Sequence, residues 1–597
     1  MLRYFQRERT YLAEAAKEFA RAHPTHAKHL QIESLSDPDP YVERLFEGFA
    51  FLAGRIHQRL DDDFPEFTER LIDLLYPQLL KPIPSMTMIE VTPDPSIEGP
   101  VLLPRLSQVR SRAVGKGSVR YRFTTTRDVL LHPISLETVE VTSTREAGPR
   151  CRLSFRLTSG TLTGLNLSPL RLQFSGQFGT ALAVYLQFAR NVKRVEVLAG
   201  ADDPKIVATL SGHDAIRVGG FGPDEHMLPR SNREFIVDAE GEGSAVDRYL
   251  RPDGYSEFRL LQEYLVFPEK FLCVDILGVV FEEDLSDRFS LEFVFTSQFE
   301  EHEVPDEQNI KLHCTPAINL FQCSGEVIML NHENTDYRVT PHRREKNASV
   351  YDIVEVTGLD QRSGRRHAFR PANSLEFRPG APEEKAPRYV ARTHQFDPQR
   401  PAVFLSFPDT GIDSPVETIT TELLCTNGGD ARKELAEGSI DELYPSQPNV
   451  QEIANLTRPT RYLSSPDTKD YLWYLLSHQV LSRTAIASRE ALVNMMRSYD
   501  WTEEEVIKDR IESILDVTSQ PKEAPFRGAI VRGIELHVKI ERSGFRHDGE
   551  VVLFGEVLSR ILRNYATINS FVHLLIEVVP SGLTFRWQPP AGTRPVL

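Results

Sequence analysis

Between Pro40 and Ser85 the sequence reads PYVERLFEGFAFLAGRIHQRLDDDFPEFTERLIDLLYPQLLKPIPS: a helix, a stop, a second helix and a proline-rich exit with no gap between them. At about 100° per residue, Tyr41, Val42, Leu45, Phe46, Phe49, Leu52, Ala53, Ile56 and Leu60 fall on one arc roughly 140° wide, the width of a core-facing stripe. Asp39 can cap this helix, and Pro40 suits its first position. Twenty residues make a rod about 30 Å long, and its apolar stripe has to be covered. Phe51 falls on the opposite side, among Arg44, Glu47 and Gln58, while Gly48 and Gly54 each cost about 1 kcal/mol relative to Ala in a helix interior. An aromatic on the charged side and two positions of close backbone approach fit a helix gripped from two sides, as in a bundle shared between subunits. The plainer alternative is a lone exposed Phe and two indifferent glycines.

Before this stretch, Leu2, Phe5, Leu12, Ala16 and Phe19 keep helical spacing up to Pro24, so three helices open the chain. From Met86 the period changes to two. Runs such as VRYRFTTT, CRLSFRLTS, ALAVYLQF, VKRVEVLAG and FSLEFVFTS, parted by Gly, Pro, Asn and Asp, read as strands of an antiparallel sandwich or barrel. LLQEYLVFPEKFL, Leu260 to Leu272, begins as a short helix and breaks before Pro268. A second strand-rich stretch starts at LHCTPAINLF, Leu312 to Phe321, and contains YRVTPHRR and YDIVEVTGL. Helical spacing returns from Lys469 to about Val517, with Thr502 and three following glutamates as a helix start. In the last stretch Ile530, Ile534, Leu536, Val538 and Ile540 share one strand face, Gly555 to Tyr565 reads as helix, and FVHLLIEV and FRWQP as closing strands. The expected architecture is multidomain α+β: a helical segment over 1–85, strand-rich sandwich or barrel-like domains over 86–305 and 306–465, a helical segment over 466–520, and a small α/β domain over 521–597.

Composition narrows the function classes. The 597 residues carry a formal net charge of −16, which repels nucleic-acid phosphates and anionic lipid heads over most of the surface. Five cysteines without CxxC spacing fit reduced thiols in a cytosol. Arg3, Arg7 and Arg9 interrupt the amino terminus too early for a signal peptide, and the longest apolar window, FLCVDILGVVF, is too short for a membrane span. The expectation is an intracellular soluble protein.

The motifs of common chemistry are missing. Gly115-Lys116-Gly117-Ser118 lacks the Ser or Thr directly after Lys and the upstream Gly of a phosphate loop, Gly219-Gly220-Phe221-Gly222 lacks the dinucleotide fingerprint, and neither HExxH nor GxSxG occurs. His313, Cys314 and Cys323 suggest a metal pair or thiol nucleophile, but neighbouring strand residues point to opposite faces, so buried structural cysteines are the expectation. Acidic runs such as Asp61-Asp62-Asp63 read as solvated faces, and Met495-Met496 as core. One basic feature stands against the overall sign: His342, Arg343, Arg344 and Lys346, then Arg362, Arg365, Arg366 and His367, lie in two loops that could converge into a positive patch for an acidic partner. No catalytic, cofactor or metal residue is assigned.

Several blocks resemble one family. MLRYFQRERTYLAEAAKEFARAHP followed by VERLFEGFAFLAGRIHQRLDDDFPEFTERLIDLLYPQLLKPIPSM, then LLQEYLVFPEKFL, LHCTPAINLF, GEVLSRILRNYATINSF and the terminal RWQPPAGTRP are similar, in order along the chain, to TssF, the baseplate wedge subunit of bacterial type VI secretion systems. ELLCTNGGD around Glu422 matches only partly, since Gly428-Gly429 replaces a longer continuation. The resemblance implies a structural, non-enzymatic protein that pairs with a second copy and one TssG in a wedge, six of which surround the VgrG spike, with TssK, TssE and the sheath attached. It implies a place in the cytoplasm, at the cytoplasmic face of the inner membrane, and no cofactor. Candidate interface residues are Phe5, Phe49, Phe51 and Leu52 in the opening helices, Arg343 and Arg344 in the basic loop, and, by resemblance alone, Tyr565, Asn569 and Trp587. The competing class is a β-sandwich carbohydrate hydrolase with a helical appendage, which needs two carboxylates at a fixed separation in a cleft.

Overall fold

The strand Met86–Pro93 (MTMIEVTP) is buried along most of its length, as its apolar and Thr side chains, interrupted only by the half-buried Glu90, lead one to expect. In the computed structural model it is flanked by two strands far away in sequence. Met86 to Glu90 lie antiparallel to Ile318 to Cys314, and Ile89 to Pro93 pair with the strand Val450–Asn455. The structure describes residues 77–115, 117–144, 148–200, 205–222, 224–229, 256–281, 287–300, 303–331, 333–345, 347–360, 364–372, 387–394, 400–408, 417–466, 471, 488–526, 529–563, 566 and 570–588, and within the first 76 residues 5, 6, 9, 11, 12, 44, 45, 47–53, 55 and 72.

Six strands make the first sheet, in the order Ile440–Tyr444, Gln108–Ser111, Arg122–Thr125, Cys314–Ile318, Met86–Pro93, Val450–Asn455. Its two edge strands are consecutive in the chain, and Asn455 draws them together. The Asn455 side chain accepts from Ile440 N (2.8 Å) and donates to Ala436 O (2.9 Å), and its carbonyl accepts from Gly438 N (2.9 Å). The sheet thus curls into a barrel round Ile89, Val109, Phe123, Ala317, Ile440 and Ile453. This removes the expected boundary at 305, because residues 86–125 share one sheet with 314–318 and 440–455.

Two excursions leave this barrel. The first runs between Arg122–Thr125 and Cys314–Ile318 and holds two sheets. Five strands are ordered Lys205–Ser211, Val192–Ala199, Arg288–Phe295, Gly148–Leu157, Ile134–Thr144, and four are ordered Ile216–Val218, Cys273–Ile276, Leu170–Phe174, Ile310–Lys311. ALAVYLQF, read above as a strand, belongs to the helix Phe178–Arg190. A continuous apolar run carries no period, and this helix is buried on nearly every side, at Ala181, Leu182, Ala183, Val184, Tyr185 and Phe188.

The second excursion, residues 321–426, forms another barrel. Its strands follow the order Phe321–Ser324, Glu417–Thr426, Ser349–Asp360, Arg366–Pro371, Arg388–His394, Ala402–Ser406, Tyr337–Val339. The ring closes where Gly325 bridges Pro341, with Glu326 N donating to Thr340 O (2.8 Å) and His342 N to Ser324 O (3.0 Å).

After the helices Arg489–Tyr499 and Glu505–Glu512 comes a four-stranded sheet, Ile514–Phe526, Ala529–Glu541, Val572–Val579, Leu583–Trp587, whose middle pair is parallel and joined through the helix Asp548–Arg563. The first strand starts at Ile514 and so crosses the expected boundary at 520. The helix starts at Asp548 rather than Gly555, its acidic first turn suiting the positive end. Leu536, Val538 and Ile540 are buried as their shared face predicts, but Ile530 is 74% exposed. The parallel partner begins only at Ile534 opposite Val572, so the outer part of the hairpin has no neighbouring strand on that side among the described residues. The helical reading at Leu472, Leu475, Leu476, Gln479 and Val480 lies outside the described residues.

Candidate interface surfaces

Residues 44, 45, 47–53 and 55 are helical, as their spacing predicts. The described side chains of the stripe are not turned into a core. Leu45 is 72%, Phe49 60% and Leu52 60% exposed, whereas Ala50 is fully buried. At these three positions the expected core-facing stripe is turned outward, and the three side chains fall within about 60° of one another on the helical wheel. Phe51, on the other side, is 48% exposed, and Tyr11 is exposed as well. Phe5 is half-buried. Four large apolar side chains bared between Leu45 and Leu52 exceed the scatter of single exposed hydrophobics and mark a surface to be covered.

The two basic loops do not converge. The loop holding Arg343 and Arg344 precedes Ser349–Asp360, and Arg365 with Arg366, the first residue of the strand Arg366–Pro371, follows it, so twelve residues of strand, roughly 35 Å, lie between them. Arg343 and Arg344 are exposed, and Arg343 Nε is 2.9 Å from Glu326 Oε1. Glu345 of the same loop pairs with Arg122 at 2.6 Å and ties the second barrel to the first.

Trp587, an interface candidate by resemblance, packs within this chain. It is 6% exposed, its Nε1 donates to Glu556 Oε1 (2.9 Å), and its ring lies against Gly555. Two blocks that carry the resemblance, GEVLSRILR and RWQP, are thus each other's packing partners. Glu556 also accepts from Arg190 (3.1 Å) and Arg560 (2.5 Å), which joins this helix to the helix Phe178–Arg190. The two helices touch at Gly549, where a Cβ would stand 2.0 Å from Leu182 O. Tyr565 and Asn569 lie outside the described residues.

LLQEYLVFPEKFL has an electrostatic reason. It forms the helix Ser256–Val266 and the 3-10 turn Pro268–Phe271, which bring Glu263 and Lys270 together, both buried and hydrogen-bonded. Glu263 Oε1 accepts from Met227 N (2.8 Å) and Leu228 N (2.9 Å), and Arg259 Nη1 donates to Leu228 O (2.8 Å). Burial pushes the Glu263 pKa up, but the Lys270 charge and the His226 contact outweigh it and hold the carboxyl well below its usual range. A second buried link joins Arg510 to Glu550, whose Oε2 accepts from Arg546 N (2.8 Å).

These charges look inward and hold the fold together. His313 is buried at φ 52°, and its Nε2 accepts from His132 N (3.1 Å). All five cysteines are free and buried. Among the described residues no group of three His, Cys, Asp or Glu side chains is placed to hold a metal ion.

A family model described as "Type VI secretion system, TssF" matches residues 1–237 and 242–594. The chain belongs to the TssF family. Type VI secretion system component TssF1 of Pseudomonas aeruginosa is 27% identical over 648 aligned positions, covering 100% of this chain and 99% of that protein. Among solved structures, a chain of a TssK-TssF-TssG baseplate subcomplex of the type VI secretion system, determined by cryo-electron microscopy, superposes with a TM-score of 0.75 at 26% identity, covering 93% of this TssF chain and 99% of that one. A chain from a structure titled as the baseplate complex of the type VI secretion system shares the fold, with a TM-score of 0.61 at 24% identity and full coverage of both. No helix among the described residues is long and apolar enough to cross a membrane.

Proposed function

We propose that this TssF chain is a non-catalytic structural subunit of a type VI secretion baseplate, and that its opening helices bind TssG and a second copy of the same chain. The observation that carries the reading is the outward stripe of Leu45, Phe49 and Leu52 with Phe51 behind it: a helix patterned for burial whose apolar side chains are bare in the isolated chain. The barrels and the α/β module offer further faces for TssK, TssE, the spike and the sheath, at the cytoplasmic side of the inner membrane. Partners gripping the helix from both sides would cover the stripe and Phe51 together.

The hydrolase alternative finds little support in the carboxylates. Glu263, Asp275, Glu292, Glu550 and Glu556 are buried, and each is held by Lys or Arg. Co-expression with TssG tests the proposal. Phe49→Asp with Leu52→Asp, and separately Phe51→Asp, should abolish co-purification while the melting temperature of the strand-rich region is kept. Undiminished co-purification of both folded variants would sink the assignment of these helices.

A further inference from the structure

On the second barrel, four neighbouring strands show an unusual outer face. Phe369, Tyr389, Val403, Leu405, Tyr337 and Val339 point into the barrel core. The period of two therefore sends Arg366, Arg370, Arg388, Arg392 and Arg338 outward, and all five are exposed. The register sets them against one another. Arg370 is directly opposite Arg388 on parallel strands, and Arg392, Phe404 and Arg338 form one row across three strands. With strands about 4.8 Å apart, Arg392 and Arg338 flank Phe404 at a backbone separation of about 10 Å.

Arg338, Arg366, Arg370 and Arg392 make no ion pair among the described residues. The contrast with the other large sheet is direct. There Arg150, Arg152 and Arg194 are interleaved with Glu196 and Glu292 at 2.6–3.4 Å. Like charges directly opposite one another destabilise a sheet, and a chain with net charge −16 has carboxylates to spare for pairing them.

We propose that this arginine face is a docking surface for an acidic protein segment. Guanidinium groups bind carboxylates in a bidentate fashion, and Phe404 supplies an apolar floor between two of them. A nucleic acid carries a phosphate at every nucleotide and would meet the net charge of −16 beyond this face, whereas a short acidic segment can confine its few carboxylates to the arginines, so the acidic polypeptide is the better fit. The proposal stands apart from the baseplate assignment, since it rests on the register of these strands alone.

The test uses the full chain and a fluorescent poly-glutamate peptide of about ten residues, followed by anisotropy at low ionic strength, where such contacts are strongest. Arg370→Glu with Arg392→Glu should weaken binding on the order of tenfold. Lys193→Glu with Lys205→Glu, an equal charge change on exposed positions of the first excursion, should leave it within about twofold. Equal melting temperatures of the variants exclude unfolding as the cause. Failure of the unmodified protein to bind, an equal loss in both variants, or tighter binding of a single-stranded oligonucleotide of matching length would overturn the proposal.

Discussion

Trp587 Nε1 lies 2.9 Å from Glu556 Oε1, and the indole covers the one turn of helix where residue 555 has no side chain. The closing strand is thus pinned to the Asp548–Arg563 helix by a hydrogen bond and a backbone-to-ring contact at adjacent residues. A Cβ on Gly555 would stand 2.1 Å from Trp587 Cη2, so Gly555→Ala must push the ring out. Its expected cost is about 1–3 kcal/mol or somewhat more. Trp587→Phe leaves Glu556 with Arg190 and Arg560 and should cost less than Trp587→Ala. Urea unfolding followed by far-UV circular dichroism ranks the three.

The buried pair Glu263 and Lys270 gives an asymmetric prediction. Lys270→Met leaves a carboxylate buried with two backbone donors and no cation, at a cost of about 3–5 kcal/mol. Combining it with Glu263→Gln removes the unpaired charge, and the double variant should be more stable than Lys270→Met alone. Equal stability of the two would mean that the salt bridge is not what the motif provides.

How much of this was legible in the sequence differs from element to element. The helix and break in LLQEYLVFPEKFL were readable, because Pro268 forbids helix at its predecessor, but the pairing of Glu263 with Lys270 across the break was not. Strand periods were readable at Gly148–Leu157 and Arg288–Phe295, yet Phe178–Arg190 failed for want of a period. Barrel membership failed for a different reason: Met86–Pro93 pairs with Cys314–Ile318, and nothing local to either run records a partner more than two hundred residues away. The helical spacing was legible over the described residues between 44 and 55, but spacing alone does not say which side is covered, and Leu45, Phe49 and Leu52 are exposed. The basic loops were found as charges and misplaced in space, since a twelve-residue strand separates them.

His132 and His313 make stability depend on pH. Burial pushes His132 down from 6.5 to about 4, and His313, helped by the charge of His132, down from 6.5 to about 3. Both are neutral in the folded state near pH 5, while the unfolded chain takes up protons below about 6.5, so stability is full above that pH and is lost as pH falls toward the folded values. The loss is at most several kcal/mol, about 1.4 kcal/mol for each tenfold difference in proton affinity between the folded and unfolded chain. Urea midpoints at pH 7.5 and pH 5 should fall further for the unmodified protein than for His132→Gln with His313→Asn, a pair that cannot titrate there and keeps a residue tolerant of positive φ at 313.

Asn319 stands where the chain passes from the first barrel into the second, and Asn427 where it returns. The Asn319 Oδ1 accepts from Thr426 Oγ1 (2.8 Å) and Asn427 N (2.7 Å), and its Nδ2 donates to Arg122 O (2.7 Å) and Asn427 Oδ1 (2.9 Å). All four hydrogen-bonding positions of a fully buried amide are used, which explains an Asn inside the otherwise apolar run AINLF. Asn319→Leu would strand these partners in the dry junction at about 1–3 kcal/mol for each group left unpaired. Asn319→Asp keeps the shape but turns two donors into acceptors facing Arg122 O and Asn427 Oδ1, so it should be destabilised as well. The clamp joins only the roots of the second barrel, so limited proteolysis should release that barrel earlier from both variants than from the unmodified chain. Cleavage at the same rate in all three would show that the Arg122–Glu345 pair holds the two barrels together without the amide.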